Sequence, residues 1–343
     1  MKLKQYLLCI IAITTIGIIS ITAVGCESRD DGTYHIGVFV PGYVEGSPTY
    51  ELMVNGATRA AEEREDLTIT VVEGGPNQSG WEESVMTMAA NRSYDLIMSS
   101  NPSLPDIAAR VAEQVPQQRF LLLDAEISGN PAIAATAYNH REQAFLNGYF
   151  AALLSQSELP SAQDGVRLGL VAGQEFPVMN NVIRTGFMEG ARAAAPEASL
   201  DFRVVGGWND PGKAAELARS MISGGVDVIL TIAGGGNQGV ITTAQEQGAY
   251  VTWFDASGYD FAPGVVMGST VVRQDTAAYV GAVAAANGEL HYGETIVYGV
   301  REGYVGFDTQ HPAFQEHVPQ EFQQKIIDIE QSILHGEINL PMN

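Results

Sequence analysis

The stretches YDLIMSSN (residues 94–101) and VDVILTIA (residues 226–233) decide the fold, because they read as one element met twice. Each carries an aspartate in its second position and three apolar residues after it, the pattern of a short strand buried on both faces of a parallel sheet. Working outward at an offset of about 132 residues, the same kinship recurs. HIGVFVPG (35–42) pairs with RLGLVAGQ (167–174), LTITVVEGG (67–75) with LDFRVVGGW (200–208), and RFLLLDA (119–125) with YVTWFDA (250–256). Helical segments separate the strands. One has clear ends: Asp210 suits the N-cap, Pro211 the first helical position, and Gly224-Gly225 the stop. Alternating strands and helices in two equivalent units predict two doubly wound α/β lobes with parallel sheets, each binding at the carboxyl ends of its strands.

The chain beyond the repeat is too short to bury a core of its own. Residues 264–288 read as a strand and a helix, and residues 294–343 as a strand, an irregular stretch and a helix whose stripe is Phe322, Ile326, Ile329 and Ile333. These pieces must dock on the two lobes. The expected division is a first lobe of 33–138 plus 257–288 and a second of 139–256 plus 289–343. The chain then crosses between lobes three times, which makes a three-strand hinge.

The amino terminus sets the compartment. Lys2 and Lys4 precede an apolar run from Leu7 to Ile21 that ends in Ala23-Val24-Gly25-Cys26, the layout of a secretory signal over residues 1–25. Cys26 becomes the first residue after cleavage, and Cys9, the only other cysteine, leaves with the signal. This arrangement resembles a bacterial lipobox, which implies a lipid anchor on Cys26. An uncleaved anchor helix is the alternative, since Leu7 to Gly25 is nearly long enough to span a bilayer. The formal charge of −22 is spread along the chain, and such a field repels phosphate, so nucleic acid is an unlikely partner. A hydrophobic content of 45% fits a globular protein.

Enzymatic signals are thin. Gly234-Gly235-Gly236-Asn237-Gln238-Gly239 fits the dinucleotide motif on paper and has Asp255 about twenty residues on. Export, the late position and the matching turn at Ser99-Ser100-Asn101 favour a glycine-rich turn facing a cleft. An exported NAD-dependent enzyme is therefore the distant alternative, and no cofactor is expected. The six histidines, His35, His140, His291, His311, His317 and His335, read as isolated residues, and no paired-cysteine metal spacing occurs. Strand ends are the better lead. Tyr50, Asn101 and Asp124 follow strands of the first copy; Phe176, Trp208, Asn209, Asn237 and Asp255 follow those of the second; Arg273 follows the return strand. Aromatic rings there can stack on a flat ligand, and carboxylates can accept from ring N–H or hydroxyl groups. Trp253 and Phe254, which lie within a strand, fit the core better than the cleft.

REQAFLNGYFAALLS (141–155), GFMEGARAAAP (186–196), GGWNDPGKAAELA (206–218), VDVILTIAGGGNQGV (226–240) and VPQEFQQKIIDIEQSILHGEINLP (318–341) together resemble the basic membrane protein family of ABC-importer lipoproteins. The resemblance covers almost all of the chain after the signal. It implies a type I periplasmic-binding fold, a purine nucleoside or related ligand, permease and ATPase partners, a membrane anchor through lipid, and a monomer. Asp255 stands where the family places a carboxylate on the ribose, and Arg273 near its usual lysine. The family's nucleoside signature D-x-S-F-N is absent: the matching stretch reads Gly46-Ser47-Pro48-Thr49-Tyr50-Glu51. That departure makes the chain similar to the riboflavin-binding branch, in which a flavin ring lies between aromatic side chains. Riboflavin is the expected ligand, a purine nucleoside the alternative, and an adhesin with a large apolar patch the reading from a third class.

Overall fold

The computed structural model describes residues 32–163 and 165–342. Residues 1–25, expected to form a signal, and Cys26 lie outside the described residues. Along the chain, β1 (Tyr34–Val40), α1 (Pro48–Glu62), β2 (Leu67–Glu73), α2 (Trp81–Ala90), β3 (Leu96–Ser100), α3 (Leu104–Gln114), β4 (Arg119–Leu123), β5 (Ile133–Tyr138) and α4 (His140–Ser155) make the first copy of the repeat. The second copy is β6 (Arg167–Ala172), α5 (Arg184–Ala194), β7 (Ser199–Val204), α6 (Pro211–Ser223), β8 (Val228–Ile232), α7 (Asn237–Gln247), β9 (Tyr250–Trp253), β10 (Val266–Val272) and α8 (Gln274–Ala286). β11 (Thr295–Tyr298), β12 (Val305–Phe307), α9 (Pro312–His317) and α10 (Gln320–Leu334) complete the chain.

Two separate six-stranded sheets result, in the orders β11-β5-β4-β3-β1-β2 and β12-β10-β9-β8-β6-β7. The four strand pairs expected from the repeat occupy the same places in the two sheets. In each, the first strand lies between the second and third, so the chain winds outward in both directions from one switch point. The strands are parallel except where β12 runs antiparallel to β10, and the apolar residues of the inner strands are almost wholly buried, as their unbroken hydrophobic runs require, whereas the edge strands β2, β7 and β11 are partly exposed. Asp210 caps α6 by accepting from the Lys213 backbone N–H at 2.8 Å, and the turn after α6 puts Gly225 at a φ of 88°. On α10, Ile326 and Ile333 are buried while Phe322 and Ile329 pack at the edge of the core.

The expected lobe boundaries need correction. The segment 257–288 divides: β10 pairs with β9, Ser269 opposite Trp253, and so belongs to the second sheet, whereas α8 packs on α1 and β4. The segment 289–343 divides too, since β11 pairs with β5, Thr295 opposite Ala135, in the first sheet. The reason is that the repeat extends one strand and one helix further than its clearest similarity: β10 is the counterpart of β5, and α8 of α4. There are three crossings, as expected, but they fall at Asn139, at Arg273 and between β11 and β12.

The copies exchange their last helices. α4 packs on α5, where a Cβ on Gly148 would fall inside the van der Waals shell of the Phe187 carbonyl and one on Gly190 inside that of Phe145. α8 packs on α1, where a Cβ on Gly56 would meet the Asp275 carbonyl. Glycines thus let helix backbones touch at both exchanged contacts. Among the described residues, no helix is long and apolar enough to cross a membrane.

Candidate ligand-binding site

Asp124 after β4 and Asp255 after β9 both reach the start of α4, so the carboxyl ends of the two sheets face one another there. In the first lobe, Tyr50 sits in the first turn of α1 and Asn101 follows β3, flanking the switch point. The Asn101 amide donates to the Tyr50 hydroxyl at 3.2 Å, and that hydroxyl donates to the Pro41 carbonyl at 3.3 Å. Burial pushes the Tyr50 phenol up, so it stays neutral. Asn101 also accepts from the Ser103 N–H at 3.0 Å, which fixes its amide orientation.

In the second lobe, the Phe176 and Trp208 rings lie 6.2 Å apart, inclined at 50°, on the loops after β6 and β7. The indole rests on Gly173, where an added Cβ would lie 2.5 Å from the ring. Asn209 is exposed. Asn237 opens α7, and its amide oxygen accepts from the Thr231 hydroxyl and the Ala233 N–H, each at 2.7 Å, leaving only its amino group for a ligand. The glycine-rich turn before it is shaped by its neighbours: Gly234 has a φ of 57° and lies against the Trp208 carbonyl, while Gly239 lets α7 touch the backbone at Pro211. Trp253 and Phe254 are buried, and Trp253 stacks on Phe261 at 4.9 Å.

Asp124 and Asp255 end β4 and β9 with φ angles of 53° and 70°, the left-handed region that aspartate tolerates better than most residues. Their side chains are joined through α4. His140 Nε2 lies 2.7 Å from Asp124 Oδ1, His140 Nδ1 lies 2.9 Å from Gln143 Oε1, and Gln143 Nε2 donates to Asp255 Oδ1 at 3.1 Å. The other oxygen of each carboxylate has no protein partner among the described residues. Burial opposes charge on His140, but Asp124 beside it, then its hydrogen bonds and Asp255, outweigh that cost and raise its pKa to about 9. Burial is also the main influence on Asp255, whose pKa is raised to about 6 with Asp124 adding to the rise and His140 and Gln143 opposing it. Part of the surface of Asp255 is still accessible.

His140 is thus held between Asp124 and Gln143, while His311 stacks on Tyr259 and approaches Asp260 at 3.5 Å. His140 and Gln143 were missed because HREQ reads as an ordinary helix start; only its place directly after a crossing strand marks it. Arg273 stands at the second crossing, its backbone N–H donating to the Tyr304 carbonyl at 2.8 Å. Its side chain is exposed and meets no carboxylate among the described residues.

Two lobes with parallel sheets, joined by three crossings, are the architecture that solved solute-binding proteins share. A solute-binding protein of an ABC transporter system from Aeropyrum pernix K1 superposes with a TM-score of 0.78 at 22% identity, covering 90% of this chain and 94% of that one. The profile of the family described as "ABC transporter substrate-binding protein PnrA-like" matches residues 33–343, and the chain belongs to that family. Its members are solute-binding proteins, not enzymes, and work outside the cytoplasm with a permease and an ATPase. Basic membrane protein A2 of Borrelia garinii subsp. bavariensis is 25% identical over 95% of this chain and 94% of its own. The ABC transporter nucleoside-binding protein BmpA of Lactococcus lactis subsp. cremoris is 24% identical over 46% of this chain and 42% of its own.

Proposed function

We propose that this chain captures riboflavin in the crevice between its lobes and, held to a membrane through a lipid on Cys26, delivers it to the permease and ATPase of an importer. The observation that carries the reading is the set of groups at the strand ends. The Phe176 and Trp208 rings offer an apolar face to a flat ring system. Asp124 and Asp255, one from each lobe, each keep a carboxylate oxygen uncommitted for hydroxyl or N–H donors. A ligand held by both lobes stabilises the closed form through contacts the open form lacks. The first loop supports a ligand other than a nucleoside. The stretch 46–51 lacks the phenylalanine and asparagine of the nucleoside signature, and Glu51 within it has one oxygen taken by the Gly46 N–H at 2.9 Å.

The second reading, a purine nucleoside, is favoured by the name of the Lactococcus relative. The two are separated by titrating the purified protein with riboflavin and with inosine in a calorimeter. Saturable binding of riboflavin with no heat from inosine is expected. The reverse result overturns the riboflavin reading in favour of the nucleoside, and silence from both removes the flat-ring ligand altogether.

A further inference from the structure

The chain Asp124, His140, Gln143, Asp255 has a direction that the donor and acceptor capacities of its members dictate. An ionised carboxylate and an amide oxygen only accept. Gln143 presents its NH2 to Asp255, so its oxygen faces His140, and Asp124 faces the other ring nitrogen. While Asp124 and Asp255 are ionised, both imidazole nitrogens must then donate, which makes His140 an imidazolium. Its raised pKa of about 9 agrees. Reversing Gln143 would set its oxygen against an Asp255 oxygen, an arrangement that holds only if Asp255 is protonated. Gln143 has no exposed surface and His140 little, so water does not supply the missing donors.

We propose that His140 and Gln143 are the specificity-determining pair of the crevice: they fix the ligand-facing carboxylates of the two lobes as acceptors, so that the site selects ligands presenting hydrogen-bond donors, such as hydroxyls or ring N–H groups, to both. This inference rests on the binding reading above, but the relay exists in the ligand-free protein and can be tested there. The ionisable groups facing Asp255 are His140 on α4, Asp124 after β4 and Tyr138 on β5; Tyr50 faces Asp124, and Asp275 faces Tyr138. Because the folded Asp255 titrates at about 6, above an ordinary carboxylate, its acceptor character predominates at neutral pH and is lost as pH falls through that value. Gln143→Leu removes the donor that opposes protonation, so the loss moves to higher pH. Gln143→Met keeps more of the side-chain length should the leucine variant fold poorly.

Two measurements test the proposal. In the ligand-free full chain at neutral pH, the 15N signals of the His140 ring are expected to show both nitrogens protonated, and a ring with one unprotonated nitrogen overturns the relay. Riboflavin and inosine then serve as probes. Whichever binds the wild type should bind the Gln143 variants roughly tenfold more weakly at neutral pH, with the fall in affinity displaced upward by about a pH unit. An undisplaced profile in both variants overturns the specificity role. If neither probe binds, the ligand assignment fails, while the ring signals still decide whether the relay is present.

Discussion

The two copies of the repeat use the same backbone and different side chains where they meet the crevice. In the first, Asp124 leaves β4 in the left-handed region and accepts from His140, the first residue of the exchanged helix α4. In the second, Asp255 leaves β9 in the same conformation, but the first residue of the exchanged helix α8 is Gln274. That side chain is wholly buried and accepts from the Tyr138 hydroxyl at 2.9 Å, and its amino group has no partner among the described residues. Asp255 instead takes its donor from Gln143, one turn further along α4. The duplicated frame therefore carries an asymmetric hinge, in which one helix serves the carboxylates of both lobes and its counterpart serves neither.

The frame itself should be the most sensitive part and the most symmetric. Gly148→Ala drives a methyl into the Phe187 carbonyl, and Gly56→Ala does the same to the Asp275 carbonyl in the other lobe. Helices that must part to admit a methyl cost about 3 kcal/mol or more. Urea denaturation of both variants should show losses of similar size; a large loss at one and none at the other would mean that the exchanged helices are not equivalent supports.

The asymmetry at the hinge predicts an alkaline pH dependence that belongs to one copy only. The folded His140 holds its proton to about 9, above the ordinary value of 6.5. Stability from that proton is complete below 6.5 and is lost as pH rises through 9, by roughly 3 kcal/mol. Asp255, also raised, adds a loss at lower pH, as the solution passes from the ordinary carboxylate range through about 6. Urea midpoints across this range should fall with rising pH, and His140→Asn should flatten the alkaline arm. Gln274→Asn, at the matching position, should leave that arm in place because it removes no titrating group.

These differences explain what was legible in the sequence. Runs such as LIMSS and VILTI announce strands because burial on both faces leaves little freedom of composition, and the two sheets follow from the repeat. The placement of β10 and β11 was not legible, since strands of similar local pattern can pair with either sheet and only the ladder β9 to β10 decides. Candidate site residues can be named where strand-end position alone marks them, as for Trp208 after β7 and Asp255 after β9. His140 and Gln143 escaped notice because their meaning depends on a helix crossing between lobes. Gly173, which makes room for the Trp208 ring, escaped it because a glycine after a strand has many ordinary uses.

Ligand contact should also be unequal between the lobes. Trp208→Ala removes one ring of the second lobe's aromatic pair and is expected to weaken binding of riboflavin, or of inosine if that is the ligand, by about 1–3 kcal/mol. Tyr50→Phe removes only a hydroxyl already engaged with Asn101 and Pro41, so its effect should be about 1 kcal/mol or less. Equal losses in a calorimetric titration would mean that the Tyr50 hydroxyl matters to binding as much as the Trp208 ring.

The smallest effect tests whether the two strand-end turns are the same turn. At φ angles of 53° and 70°, a residue with a Cβ pays a steric cost of about 1–2 kcal/mol that glycine does not. Glycine in turn loses roughly 0.5–1 kcal/mol more in conformational entropy on folding than alanine. Asp→Ala and Asp→Gly both delete the carboxylate and its hydrogen bond, so the difference in their stabilities isolates the backbone. At Asp124 and at Asp255 alike, the glycine variant should be the more stable by about 0.5–1 kcal/mol, although alanine wins at ordinary backbone angles. If the order holds at one aspartate and reverses at the other, the turns differ in backbone, and the asymmetry of the hinge begins before the helices that serve it.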